Sequence, residues 1–184
     1  DRQSAGQLLR QGNLEGLLEL AAEFHGHFCP YLALGVKASA LGLRLLGSAR
    51  AGFSESVSES LLAIVECNNC FTDGVQVATG CTLGNNSLIY WDLGKTAVTL
   101  TRRDTWEAVR LCVDNDKMRE LIFSPEAEEL FEKVVVQRTG TEEDAERLGA
   151  LWQELSFQVL QLPDSAFQIQ RLTLEPIEQA PVFA

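Results

Sequence analysis

Two helix-forming stretches meet in this chain at Gly26 and Pro30, and the residues at that junction are Glu23-Phe-His-Gly-His-Phe-Cys-Pro-Tyr-Leu-Ala-Leu34. Before the junction, Leu14, Leu17, Leu18, Ala21 and Phe24 recur at helical spacing behind Asn13, a side chain suited to capping. Gly26 should stop that helix, and Pro30 is well placed as the first residue of the next, Tyr31 to about Leu46. Both histidines of the protein, His25 and His27, and one of its five cysteines, Cys29, therefore fall at one helix–helix corner. Imidazole nitrogen and thiolate sulfur together suit zinc, and also nickel, iron or copper. At a helix N-terminus the dipole also favours thiolate at Cys29.

The second helix is rich in small residues: Ala33, Gly35, Ala38, Ser39, Ala40 and Gly42. Glycine costs helical stability, so such a run predicts close packing against another element. Gly47 to Ser60 reads as a loop. Leu61–Val65 is a short continuous apolar run, expected to be a buried strand. A short helix from about Asp73 to Thr79, a glycine- and asparagine-rich turn at 80–86 and a strand over Ser87–Trp91 follow. Thr96–Arg102 and Ala108–Val113 alternate and predict a hairpin turning near Asp104-Thr105. Ser124-Pro125 should open a helix to about Arg138. Thr141 with Asp144 resembles a capping box for another helix, to about Gln161. Ala166–Leu174 reads as a last strand and 175–184 as a tail. One α+β domain over residues 1–184 fits, with helices packed on a mixed or antiparallel sheet.

Composition narrows the functions. An apolar fraction of 46% with 22% charged residues belongs to globular proteins. No apolar run reaches the roughly 18 residues a membrane helix needs, and nothing resembles an export signal. The net charge of −11 argues against a nucleic-acid partner, since phosphate binding needs a basic face. The acidic run around Glu126–Glu146 reads first as a solvated helical surface. An odd cysteine count without an export signal points to a reduced, cytoplasmic setting, where thiols bind metal, react or are buried.

The remaining chemistry-bearing residues carry two readings each. Cys67 and Cys70 form Cys-x-x-Cys, a turn that offers two thiolates to a metal or forms a reversible disulfide, but no second pair completes a structural zinc site. Cys81 sits between glycines, either at a ligand or in a tight turn. Asp73 can orient a histidine or cap its helix. Lys95 can stabilise a negative substrate or thiolates, or be a surface lysine in a turn. Glu66 ends the buried strand and can act as ligand or base. Cys112 reads as core.

Taken together, His-Gly-His-Phe-Cys-Pro at 25–30, Cys-Phe-Thr-Asp-Gly-Val-Gln at 70–76, Thr-Gly-Cys-Thr-Leu-Gly-Asn at 79–85 and Gly-Lys-Thr-Ala at 94–97 resemble the formylmethanofuran dehydrogenase E-subunit family, FmdE. The resemblance spans about residues 14–174. It implies an α+β core in an intertwined homodimer, a metal-capable centre drawn from His25, His27, Cys29, Cys70 and Cys81, and roles for Cys29, Asp73 and Lys95 in any chemistry. Cys67 stands where the family usually has another residue, and Tyr31 where glycine commonly follows Cys-Pro. With no cysteine after Cys112, the chain resembles members that lack a C-terminal zinc finger.

Three functions follow as expectations. The first is a metal-binding protein holding zinc or another divalent transition metal such as nickel or iron, acting on a small substrate. The second is a thiol–disulfide redox protein with Cys29 as nucleophile and Cys70 or Cys81 resolving it. The third is an accessory subunit or metal sensor that presents the acidic helices 125–161 to a partner. Molybdenum or tungsten oxidoreductase subunits are the partners the resemblance suggests.

Overall fold

Why the chain turns where it does is visible at its caps. In the computed structural model, which describes residues 3–179, helix α1 (Ala5–Arg10) starts at a Ser4–Gln7 capping box. Helix α2 (Leu14–His25) starts at Asn13, whose side chain accepts the Gly16 N–H, and ends at Gly26 in the left-handed conformation that glycine adopts without strain. Helix α3 (Pro30–Leu46) begins with proline at its first position and Cys29 as N-cap. The expected loop after it contains a short helix, α4 (Phe53–Ser58). Strand β1 (Leu61–Val65) is wholly buried. Helix α5 runs Cys70–Thr79, three residues earlier than expected, because Asn69 and not Asp73 caps it by accepting the Phe71 N–H.

Strands β2 (Leu88–Tyr90), β3 (Ala97–Arg102) and β4 (Glu107–Val113) follow. Helix α6 (Asn115–Ile122), capped by Asp114, was not anticipated; its apolar stripe is only Met118 and Ile122. Helix α7 (Pro125–Phe131), capped by Ser124, continues as a π-helical turn over Glu132–Val136. Helix α8 (Glu142–Leu160) starts at the Thr141–Asp144 capping box, and strand β5 (Phe167–Thr173) closes the fold. Residues 175–179 form no regular element, but Gln179 is tied to Arg103 and to the Asn86 carbonyl; the rest of the expected tail, 180–184, lies outside the described residues.

The sheet order is β2-β1-β3-β4-β5. Only β1 and β2 run parallel, so the sheet is mixed and the domain is α+β. Alternate residues of β1, β3 and β4 (Ala63, Val65, Leu100, Leu111 among them) face the helices and join the core. Helix α3 lies at the centre of that core. The small residues in its sequence mark two close approaches. A side chain at Gly42 would strike Leu100 and Leu111 of the sheet, and one at Gly35 would strike the Phe71 backbone of α5. The partner in the second contact is Gly74, so α3 and α5 meet backbone to backbone. Cys112 departs from its core reading: it alternates with Leu111 and Val113, is half-buried on the sheet's other face, and its thiol turns to the Val113 carbonyl.

The cap of α8 couples this helix to the turn before it. The Asp144 carboxylate pairs with the Lys133 ammonium at 2.6 Å and accepts the Thr141 N–H at 2.8 Å. Lys133 first, then the Thr141 amide, holds its pKa down to about 2. Because the folded-state pKa is depressed, the stability it contributes is complete above the ordinary carboxylate value of about 4 and is lost as pH falls from there toward about 2. The melting-temperature gap between wild type and Asp144→Asn should be constant from pH 7 to 5 and close between about pH 4 and 2. Thermal melts by circular dichroism across that range check it; a gap that persists at pH 2 contradicts the pairing.

Candidate metal centre

Helix α2 ends at His25, the left-handed Gly26 turns the chain, and Cys29 opens α3. Because α5 packs on α3 through Gly35 and Gly74, its first residue, Cys70, arrives beside that corner. His25, His27 and Cys70 each offer a donor atom, and these atoms all lie within 4.8 Å of one another. The Cys29 side chain lies against that of Cys70.

Asp73, one turn into α5, accepts a hydrogen bond from His25 Nδ1 at 2.6 Å, and its other oxygen accepts from Gln76 Nε2 at 3.1 Å. With Nδ1–H committed, Nε2 is left with its lone pair. It is buried and has no hydrogen-bond partner among the described residues. A buried polar atom without a partner is costly, and a metal ion would remove that cost. The carboxylate–imidazole arrangement is the usual way a protein fixes the tautomer and orientation of a ligating histidine. The His27 ring lies 4.4 Å from that of His25 and stacks on Trp152 of α8 at 5.6 Å.

The two thiols are driven apart in acidity. Contact with Cys70 and the amides of Leu32 and Tyr31 at the helix start lower the Cys29 pKa despite its burial. The same contact raises that of Cys70, with burial adding to it and His25 opposing it. One proton is thus shared by a coupled pair.

Cys29 and Cys70 face a cavity of about 800 Å³. Tyr31, Phe123, Phe131 and Trp152 line its walls, and Glu128, Glu129, Glu132 and Arg119 supply charge. Arg119 pairs with Glu128 at 3.4 Å, which leaves the rim acidic. A π-helical turn often marks a functional position, and this one begins at the cavity wall with Glu132. Tyr31 is half-buried against Phe123, at 6.3 Å between rings, and burial raises its pKa.

Three of the expected residues lie elsewhere. Cys81 follows α5, a ten-residue helix and so about 15 Å long, at the end opposite Cys70. Its thiol donates to the Leu61 carbonyl at 3.4 Å, and burial pushes its pKa up to about 11. This is a buried turn cysteine outside the cluster. Lys95 is exposed; its N–H donates to the Glu66 carbonyl, and its ammonium helps hold the Glu66 pKa down after the larger effect of Arg110. It lines no part of the cavity. Cys67 parts from Cys70: its thiol turns to Asn69 Oδ1 at 3.6 Å, and burial raises its pKa. Glu66 is held by a two-pronged Arg110 contact at 2.6 and 2.8 Å, which occupies the carboxylate.

The cavity walls from α6 to α8 were missed. Trp152 follows Leu148 by four residues and precedes Val159 by seven, so the sequence marks it only as part of a helical stripe. Nothing local says that this stripe meets His27.

Fold and site define a small α+β domain that gathers histidine and cysteine at a helix corner under an aromatic-walled cavity. The model of the family described as "FmdE, Molybdenum formylmethanofuran dehydrogenase operon" matches residues 24–168, and the chain belongs to that family. It is 53% identical over 173 residues to a protein of Archaeoglobus fulgidus named "Probable S-adenosyl-L-methionine-binding protein". That match covers 94% of this chain and 47% of the relative, so the chain spans about half the relative's length. Among solved structures, a tungsten formylmethanofuran dehydrogenase FmdE-like protein from Syntrophus aciditrophicus is similar at a TM-score of 0.57 and 26% identity, covering 89% of this chain and 73% of that one. No helix among the described residues is long and apolar enough to cross a membrane.

Proposed function

We propose that this domain binds one transition-metal ion per chain through His25, His27 and Cys70, with Cys29 beside them, and presents it to a small molecule in the aromatic cavity. The observation that carries this reading is His25 Nε2, buried and unpartnered while Asp73 fixes the ring's other nitrogen. Two imidazoles and one or two thiolates favour zinc, with nickel and iron as the alternatives. A metal with an open position would polarise a bound group or activate water. The chain's own part is to hold the His25 tautomer through Asp73, to supply thiolate at Cys29, and to exclude water with Tyr31, Phe123 and Trp152.

The cavity's aromatic walls and acidic rim suit a cation that carries a flat ring. S-adenosylmethionine, a sulfonium with a purine, is therefore the first ligand to screen, given the name of the Archaeoglobus relative. An accessory role beside molybdenum or tungsten oxidoreductase subunits is consistent with the family's operon. Reduced thiols suit a cytoplasmic setting. A homodimer would cover β5, exposed along nearly its whole length, and the exposed Val135 and Val136.

Mass-spectrometric metal analysis of protein purified without oxygen tests the reading. Wild type should carry about one transition metal per chain and Cys70→Ser far less. No metal in wild type after anaerobic reconstitution would overturn it. The Cys29–Cys70 contact then favours a dithiol redox function, in which Cys29 alkylates first and a reversible disulfide joins the two.

A further inference from the structure

In a chain whose formal charge is −11, one recess is lined mainly by cations among its charged residues. It lies between α1, the second half of α3 and the turn after α3, far along α3 from Cys29. Its volume is about 580 Å³. Arg10, Lys37, Arg44 and Arg50 line it, with Asp164 the single lining carboxylate among the described residues. Leu9, Leu14 and Leu41 add apolar wall.

Lys37 carries the argument. It is only 8% exposed, and its ammonium has three hydrogens to place. One goes to the Leu160 carbonyl at 2.8 Å. No other hydrogen bond or ion pair holds it among the described residues, because Asp164 is taken by Arg44 at 2.7 Å. A buried charge that leans on one carbonyl dipole leaves much of its desolvation cost uncompensated.

The arginines add to this. Arg44 spends one guanidinium nitrogen on Asp164, and Arg50 spends two on the Val77 and Ala51 carbonyls, so each keeps N–H groups in reserve. Arg10 makes no side-chain hydrogen bond or ion pair with a described residue. Cations at helix C-termini need no ligand, and Arg10 and Arg44 do sit in the last turns of α1 and α3. That account explains their sequence positions. It leaves two Lys37 hydrogens without acceptors beside an apolar-walled recess of ligand size.

We propose that this recess binds a small organic anion: a carboxylate or phosphate head held by Lys37, Arg44 and Arg50, with an apolar body against Leu9, Leu14 and Leu41. Guanidinium forks suit either head, and a lysine point charge adds to both. The site is separate from the His25–Cys70 cluster, so it stands whether or not a metal binds there.

Isothermal titration of metal-free protein tests it, using phenyl phosphate, benzoate, phenol and inorganic phosphate as probes. One of the two aromatic anions should saturate one site per chain with a Kd of about 1 mM or tighter; the tighter of them identifies the head group. Phenol, which lacks the charge, and inorganic phosphate, which lacks the body, should each bind at least about tenfold more weakly. Lys37→Met keeps the buried stem and should weaken the anion at least about tenfold. Arg10→Gln, an exposed change that spares the fold, should weaken it about threefold. Saturation by neither aromatic anion, equal binding of phenol, or unchanged affinity in both variants would overturn the proposal.

Discussion

Replacing Gly74 by alanine is expected to destabilise the protein by about 3 kcal/mol and to strip the metal centre in the same step. A Cβ at Gly74 would overlap the Leu32 carbonyl oxygen and lie 2.9 Å from the Val36 nitrogen. Both are backbone atoms inside α3, so neither can swing aside as a side-chain tip would. The helices would have to separate. Cys29 and Cys70 stand at the starts of those two helices, so separation pulls apart the thiols and the Asp73–His25 contact. The intrinsic helix preference for alanine, worth about 1 kcal/mol, works in the opposite direction and does not offset the overlap. Gly149 supplies the control. It lies exposed in α8 with nothing within 4 Å of an added Cβ, so Gly149→Ala should stabilise by up to about 1 kcal/mol. Urea unfolding of the three proteins, with metal content measured alongside, checks the pair of signs. A Gly74→Ala variant as stable as wild type would mean that the two helices do not meet as described.

That contact also marks how far the sequence could be read. The small residues of α3 announced a close approach, and Gly26 and Pro30 announced the corner, because glycine and proline act through local backbone conformation. The strands β1, β3 and β4 were legible from apolar content and alternation. What α3 approaches was not legible, since Gly74 lies 39 residues away from Gly35 by their numbers and helical spacing names no partner. The site divides in the same way. His25, His27 and Cys29 are neighbours in the chain, so their grouping could be seen at once. Choosing among Cys67, Cys70 and Cys81 required knowing that Asn69 starts α5, which brings Cys70 to the corner, leaves Cys67 turned toward Asn69 and carries Cys81 to the far end. Lys95 stands in a plausible glycine turn, yet the β1–β3 register sets it beside Glu66. The acidic segment around Glu126–Glu146 read as a solvated surface. Part of it is: Arg147 and Glu126 pair in solvent. The same segment supplies Glu128, Glu129 and Glu132 to the cavity rim, a role that only the packing of α7 and α8 beside α3 creates.

The second large effect concerns Asp73. Asp73→Asn should weaken metal binding by about 10- to 100-fold while leaving the stoichiometry at saturation unchanged. The carboxylate contributes no donor atom to the cluster. It accepts the Nδ1–H of His25 at 2.6 Å and thereby keeps the lone pair on Nε2. An asparagine carbonyl can still accept that hydrogen bond, but without the negative charge it no longer raises the basicity of the imidazole. Its NH₂ group can also turn toward Nδ1 and favour the other tautomer, with the proton on Nε2. His25→Ala removes the donor itself and should lose more than Asp73→Asn, beyond about 100-fold. Competition against a chromophoric zinc chelator ranks the three proteins. Folding must be matched by circular dichroism first, because Asp73 also accepts from Gln76 within α5. Gln76→Ala separates the two roles: it removes the helix contact, keeps the carboxylate on His25, and should hold zinc within about threefold of wild type. Equal affinity in wild type, Asp73→Asn and His25→Ala would show that the metal sits elsewhere and would leave the unpartnered Nε2 unexplained. A deficit in His25→Ala alone would keep the ligand and remove Asp73 from its tuning.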